Sequence, residues 1–173
     1  DGSPNTTGET FEAGWKIAVP MIDVTTLGAG GGSVANVDPG GILRVGPESA
    51  GADPGPACYS NGGTVATVTD SALVLGHLDP SGFLGGKQLL DVGRAREAVE
   101  RLAGPLGIST EEAASGVLEV VSTTVAEGIR VKAAQSGVDA RGFALIAFGG
   151  AAGLVAGSVA RKLGVERVVV PAE

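Results

Sequence analysis

Glycine is the residue that most constrains how this chain can fold. It supplies 30 of the 173 residues, whereas its usual share of a protein is about 7%. The glycines are clustered and follow no fixed period, which excludes a collagen-like repeat. Clusters of this kind indicate turns with unusual backbone angles, or backbone that approaches a ligand closely.

The clearest local pattern is a strand, a glycine turn and a helix over residues 145–163. The apolar run 143–148 predicts a central strand, and residues 167–170 predict a final strand. Gly149 and Gly150 supply the turn. A strand, crossover helix and strand favour parallel pairing. The free N–H groups where the helix begins would attract phosphate, although small residues packed in a tight turn would leave the same pattern.

A second glycine cluster follows an apolar, β-branched run. Residues 28–33 contain four glycines, and their consecutive N–H groups could form a nest for an anion. A flexible hinge is the alternative interpretation. Residues 46–63 then combine five glycines with three prolines. A stretch this long and irregular is predicted to be an ordered binding loop rather than a regular element.

Hydrophobic periodicity predicts the remaining elements. Ser109 and Glu112 form a capping box that opens the longest helix, and Gly137 stops it. One face of this helix is predicted to be buried, comprising Ala113, Val117, Val120, Val121, Thr124 and Gly128. Strands are predicted at residues 15–19, 21–26 and 42–45, and helices at 71–78, 91–102 and 109–136. Residues 34–37 could form a strand, which would make a hairpin with residues 42–45 around the turn at 38–41, or they could begin a helical turn.

Charge and composition exclude several classes of protein. The net charge is −7 and no basic patch is present, which argues against nucleic-acid binding. No apolar run approaches the roughly 18 residues that a membrane span requires. Cys58 is the only cysteine, so an internal disulfide is excluded and a reducing compartment, the cytoplasm, is expected. The chain opens in a turn-like stretch without Met, which predicts a fragment.

Several single residues could carry chemistry, and each also has a structural interpretation. Cys58 has no His or Cys partner at ligand spacing and is interpreted as a small buried residue. His77 is the only histidine and is placed at a helix end. Glu127 and Arg130 are explained by an ion pair within one helix. Five acids in loop-rich surroundings could bind Mg²⁺ or could simply cap turns: Asp23, Asp38, Glu48, Asp53 and Asp70.

The order of the motifs resembles the hydantoinase A / 5-oxoprolinase family. The resemblance runs from about residue 17 to residue 171, and the block 46–59 is highly specific. The matching blocks, in family order, are residues 22–24, 28–33, 43–59, 67–76, 83–86 and 147–151.

This resemblance implies a fold and an activity. The fold would be α/β, an incomplete lobe of the actin/Hsp70/sugar-kinase-like ATPases with a mixed sheet and flanking helices. Residues 1–90 would form its strand and loop region, and residues 91–173 its helical and βαβ portion. The activity would be ATP-dependent opening of cyclic amides such as hydantoins and 5-oxoproline, with Mg²⁺ as a cofactor and a hydantoinase B-like partner subunit. Related members are ketone carboxylases.

The resemblance also implies which residues meet the nucleotide. Gly149, Gly150 and Ala151 would form the adenosine-side turn, while Asp23 and Asp53 would be structural or close to a metal. The residues expected near the phosphates are Gly28, Gly30, Gly31, Gly32 and Ser33. Catalytic residues are not assigned.

The chain departs from the family pattern at three places. After Gly150 the usual Pro and His are replaced, and His77 stands where Arg is common. Two phosphate loops, of the types D-x-G-G-T-x-T-D and G-G-T-S-T-D, are not in the chain and would precede residue 1. These departures leave open a non-catalytic fragment or assembly module.

Overall fold

The computed structural model describes residues 6–12 and 14–171. Short strands occupy mainly the first part of this range, and helices the middle. The strands are β1 (Thr6–Thr7), β2 (Thr10–Glu12), β3 (Trp15–Ile17), β4 (Met21–Ile22), β5 (Ser33–Val37), β6 (Leu43–Ser49), β7 (Ala144–Ile146) and β8 (Arg167–Val169). The helices are α1 (Val68–Val74), α2 (Val92–Leu106), α3 (Thr110–Gln135) and α4 (Ala152–Leu163), with 3₁₀ turns at Ala57–Tyr59 and Ala140–Gly142.

The strands of the described residues pair as four two-stranded ladders. β1–β4, β2–β3 and β5–β6 are antiparallel, and β7–β8 is parallel. The predicted hairpin of β5 and β6 is confirmed. Asp38 holds its turn, because its carboxylate accepts hydrogen bonds from the N–H groups of Gly40 and Ile42. The Ile42 N–H, followed by the Arg44 side chain, lowers the pKa of Asp38.

Helix α3 is the centre of the helical layer, since α1, α2 and α4 all pack against it. The predicted buried face is confirmed at Ala113, Val117 and Val121 but is wrong at Thr124, which is exposed. The Thr124 hydroxyl donates to the Val120 carbonyl instead. The buried face continues along a stripe that runs through Ala113, Ala114, Val117, Val121, Ser122 and Ala126.

One helix boundary agrees with its prediction, and two differ from it. The Ser109–Glu112 capping box is present. Helix α1 begins at Val68, three residues before the predicted start, because Thr67 and Asp70 form a second capping box. Helix α2 continues through Pro105 and ends at Leu106, beyond its predicted end.

The predicted strand–helix–strand unit at the C-terminal end is confirmed. Ala144 pairs with Arg167 and Ile146 pairs with Val169 in a parallel register. Leu145 packs with α3 and α4 in a small apolar cluster. The strand is shorter than its apolar run, and Ile146 is exposed. The expected central position is therefore not seen among the described residues, where β7 pairs with β8.

The described residues on both sides of the predicted division at residue 90 share a core. Cys58 and Leu73 pack with Leu90 and Ala95. The division of the chain into residues 1–90 and 91–173 stays a prediction. None of the described helices combines the length and apolarity needed to cross a membrane.

We expect the Ser109→Ala substitution to lower the free energy of unfolding by about 1 kcal/mol. The Ser109 hydroxyl accepts from the N–H of Glu112, which otherwise has no intrahelical partner. Urea denaturation followed by circular dichroism measures the loss. Ser115→Ala, at an exposed site inside α3, is the control and should not destabilise the chain. Equal losses in the two variants would contradict the capping role.

Candidate functional site

The two glycine segments singled out in the sequence lie against each other. A methyl group placed on Gly31 would be 3.6 Å from the Cβ of Ala151 and 2.7 Å from the Oγ1 of Thr69. The loop of residues 28–33 therefore meets Ala151, the N-cap residue of α4, although more than a hundred residues separate them in the chain. The close approach requires glycine at position 31, because a side chain there would overlap Thr69.

A cavity of about 250 Å³ opens where these segments meet. Glycine backbone from both segments forms one part of its lining, called the floor here, and apolar side chains form the part called the wall. Tyr59 and Phe83 contribute aromatic rings whose centroids are 5.5 Å apart. The lining residues from the two glycine segments are Gly31, Gly32, Gly150 and Ala151, and those of the wall include Pro56, Tyr59, Leu78, Phe83 and Leu154.

This arrangement suits a ligand with one flat or apolar part and one polar part. Backbone without side chains lets a polar ligand edge come close to N–H groups, and aromatic rings favour stacking with a flat ring. Burial raises the pKa of Tyr59, so its hydroxyl stays neutral near pH 7. Sequence reasoning missed Tyr59 and Phe83, and the only available signal was their position within motifs that the chain shares with the family.

Thr69 holds the glycine loop in place through hydrogen bonds. Its N–H and its hydroxyl both donate to the carbonyl oxygen of Gly31, each at 2.9 Å. Within the loop, the Ser33 hydroxyl accepts from the N–H of Gly30 at 2.9 Å and donates to the carbonyl of Gly28 at 3.4 Å. Ser33 is thus buried and occupied inside the loop, while Gly31 and Gly32 face the cavity. Contact with a ligand stays a prediction for all eight residues: Gly28, Gly30, Gly31, Gly32, Ser33, Gly149, Gly150 and Ala151.

A second cleft, of about 350 Å³, lies beside the first between α3, α4 and β7. Its lining is almost entirely apolar and includes Leu27, Val125 and Val155. Gly30 and Ala151 border it as well. Such a surface fits apolar side chains rather than phosphate, so Gly30 lies closer to apolar packing than to an anion site.

The acids proposed as Mg²⁺ ligands lie in separate places. Asp23 pairs with Lys132 at 2.6 Å, Asp38 holds the β5–β6 turn, and Asp53 is exposed in its loop. Across residues 6–12 and 14–171, no three His, Cys, Asp or Glu side chains are grouped as a metal site. The described acids therefore form no ready-made metal cluster, and a Mg²⁺ ion held by phosphates with one or two carboxylates stays a prediction.

Asp70 is fully buried and surrounded by donors. Its Oδ1 accepts from the N–H of Cys58 at 2.8 Å. Its Oδ2 accepts from the N–H of Ala57 at 3.2 Å, and from the N–H and hydroxyl of Thr67 at 3.0 and 2.7 Å. A carboxylate offers about four acceptor positions, so this group is satisfied by the protein itself.

The remaining single-residue interpretations agree with the structure. Cys58 is buried, and burial, with the Asp70 charge beside it, raises the pKa of its thiol. His77 is exposed just after the end of α1. Glu127 and Arg130 form the predicted ion pair. None of these observations indicates a nucleophile or a metal ligand.

A family model described as Hydantoinase/oxoprolinase matches residues 1–173. The chain belongs to the hydantoinase/oxoprolinase family. The resemblance drawn from the order of its glycine-rich motifs is therefore confirmed, and the cavity between residues 28–33 and α4 is a feature of a member of this family.

Individual relatives of this hydantoinase/oxoprolinase chain are much longer than it is. Caprolactamase subunit alpha from Pseudomonas jessenii is 48% identical over 158 residues, covering 91% of this chain and 23% of that protein. 5-oxoprolinase 1 from Arabidopsis thaliana is 41% identical over 187 residues, covering 98% of this chain and 15% of that protein. The chain thus spans less than a quarter of the length of either relative.

Solved structures show the same fold. The ATP-dependent caprolactamase from Pseudomonas jessenii matches with a TM-score of 0.87 and 46% identity, over 96% of this chain and 24% of that one. Nucleotide-free acetone carboxylase matches with a TM-score of 0.87 and 32% identity, over 99% of this chain and 24% of that one. The expected fold class is confirmed: the chain is an incomplete α/β lobe of the actin-like ATPase type.

We expect Gly31→Ala to lower the free energy of unfolding by about 1–3 kcal/mol, because the new methyl group overlaps the Thr69 hydroxyl. Gly30→Ala is a matched control one residue away, since a methyl group there meets no heavy atom within 4 Å in the described part of the chain. It should change stability by less than about 0.5 kcal/mol. Urea denaturation of both variants measures the difference, and similar losses would argue against the close approach.

We expect Cys58 to resist alkylation in the folded chain. Its raised pKa leaves little thiolate at pH 8.5, and the thiolate is the form that reacts. Iodoacetamide labelling followed by mass spectrometry should be roughly a hundredfold slower in buffer than in concentrated urea. Because no other cysteine is present, any label reports on this thiol. Equal rates in the two solvents would refute its burial.

Proposed function

We propose that this chain is part of an ATP-dependent cyclic amide hydrolase of the hydantoinase/5-oxoprolinase type. The observation that carries the proposal is the meeting of the two glycine segments at a cavity with an aromatic wall. The family match and the identity of 48% to a caprolactamase subunit support it. The complete enzyme would be a longer protein that contains these 173 residues, called the parent protein below.

In the parent protein, ATP would supply a phosphoryl group to the amide oxygen, which makes the carbonyl carbon open to attack by water. Phosphoryl transfer depends mainly on positioning and on neutralising charge. The backbone of Gly31, Gly32, Gly150 and Ala151 would approach the nucleotide closely, and the wall around Tyr59 would exclude water from its flat ring. Mg²⁺ would accompany the phosphates, with ligands from outside the residues described here.

The setting of the parent protein is part of the proposal. A hydantoinase B-like subunit would be its partner, and the naming of the Pseudomonas jessenii relative as an alpha subunit supports this. A cytoplasmic location is favoured by the need for ATP and by a single, buried cysteine. The substrate would be a small lactam or cyclic imide.

A ketone carboxylase is the second candidate, and one specific observation favours it. The acetone carboxylase structure covers 99% of this chain with the same TM-score as the caprolactamase. The 173-residue chain by itself would be non-catalytic in either case, because it spans about a quarter of both structures.

We expect the parent protein to bind ATP with Mg²⁺ in calorimetry and to release ADP when a cyclic amide is added. Caprolactam, hydantoin and 5-oxoproline are the substrates to test. Failure to bind ATP would overturn the proposal. Product formation only with bicarbonate and a ketone would favour the carboxylase instead. The 173-residue chain should hydrolyse no ATP, and turnover by it would refute the non-catalytic assignment.

We also expect Gly150→Val to raise the KM for ATP in the parent protein by at least about tenfold, a loss of about 1.4 kcal/mol. Gly150 lines the cavity, and a Cβ there meets nothing within 4 Å in the described residues. The side chain can therefore obstruct the ligand without disturbing the fold. Gly104→Val, on α2 with the same open surroundings, is the control and should leave KM unchanged. No difference between the two would remove Gly150 from the site.

A further inference from the structure

The buried carboxylate of Asp70 is committed to the protein rather than to a ligand. It takes four hydrogen bonds from Ala57, Cys58 and Thr67. Oδ2 accepts three of these hydrogen bonds and Oδ1 accepts one, so both oxygens are engaged by the protein. Asp70 is also fully buried. A metal ion would have to reach a buried carboxylate and compete with these hydrogen bonds. The function of Asp70 therefore concerns the chain segments that carry the donors.

The donors belong to the wall of the cavity. The N–H groups of Ala57 and Cys58 begin the 3₁₀ turn Ala57–Tyr59, and the N–H of Tyr59 donates to the carbonyl of Pro56. Pro56 and Tyr59 both line the cavity. The carboxylate therefore sets the position of this wall through two main-chain N–H groups.

The neighbouring residue, Thr69, holds the glycine floor of the cavity. Its N–H and hydroxyl both donate to the Gly31 carbonyl. The first turn of α1 thus fixes the aromatic wall through Asp70 and the glycine floor through Thr69. The separation between wall and floor depends on adjacent residues of one short helix.

An ordinary capping residue has a simpler task. Glu112 occupies the same N3 position in the capping box of α3, where its carboxylate accepts from the N–H and hydroxyl of Ser109. Glu112 is exposed. Asp70 performs this local task for Thr67 and, in addition, binds a segment twelve residues away. Glu112 therefore serves as a control for capping alone, since only Asp70 also binds a distant segment.

We propose that Asp70 is a positioning residue, which holds the Pro56–Tyr59 wall at the correct distance from the glycine floor of the nucleotide cavity. The proposal rests on the function proposed above. An amide in place of the carboxylate would direct its NH₂ group against either the Cys58 N–H or the Ala57 and Thr67 N–H groups. The turn would then be displaced while α1 is still capped in part.

The first experiment uses amide hydrogen exchange by NMR on the 173-residue chain. In Asp70→Asn, the amides of Ala57 and Cys58 should exchange at least about tenfold faster, whereas the amides of α3 should keep their rates. Glu112→Gln is the matched control and should leave Ala57 and Cys58 unchanged. If Asp70→Asn also leaves them unchanged, the positioning role is wrong.

Thr67→Val is a second variant in case Asp70→Asn unfolds the chain. It removes the hydroxyl that donates to the Asp70 carboxylate and accepts from the Asp70 N–H, and it keeps the N–H groups of Ala57 and Cys58 in place. We expect lower stability with unaltered exchange at Ala57 and Cys58 relative to the rest of the chain. If these two amides exchange faster than the rest of the chain, the Ala57–Tyr59 turn depends on the Thr67 cap of α1 rather than on the Asp70 carboxylate. That result would overturn the proposal.

The second experiment measures ATP turnover by the parent protein. Asp70→Asn should raise KM for ATP about tenfold and change kcat by less than about threefold, because a displaced wall weakens binding more than chemistry. Glu112→Gln should leave both constants unchanged. A roughly tenfold fall in kcat with no change in KM would refute the positioning role. If the wild-type parent protein turns over no ATP, the proposed function fails, and the hydrogen-exchange result still decides the role of Asp70.

Discussion

The buried hydrogen bonds of Asp70 are the interaction on which the rest of this structure depends. A buried carboxylate is costly unless donors satisfy it, and here donors come from two separate segments of chain. The residue before it, Thr69, binds the Gly31 carbonyl. Through these contacts the first turn of α1 joins the irregular loop at Ala57–Tyr59 to the glycine loop that precedes β5. Neither loop has enough regular structure to position itself.

Close packing of backbone is the second constraint, and it explains the glycine at position 31. At position 31 a side chain would overlap Thr69, and the same position lies next to the start of α4. The result is a cavity lined in part by main chain and in part by aromatic rings. Because the chain belongs to the hydantoinase/oxoprolinase family, we propose that this cavity receives a nucleotide.

The confirmed sequence predictions are those that rested on local chemistry. The capping box at Ser109, the β5–β6 hairpin and the parallel β7–β8 unit all follow from short-range patterns. Helix α1 begins earlier than predicted, because the capping box of Thr67 and Asp70 places its start at Val68. At Thr124 the predicted buried stripe was wrong, since the face that contacts other helices is set by their arrangement rather than by the helix itself.

The sequence by itself determined the family, the glycine clusters and most helices, because these depend on residue order, caps and periodicity. Only the tertiary structure decided that residue 31 meets residue 151, that Tyr59 and Phe83 form part of the cavity wall, and that Asp70 is a structural acceptor and not a Mg²⁺ ligand. These facts depend on contacts between distant segments. Such contacts arise from the packing of α1 and α4 against α3, which no local pattern encodes.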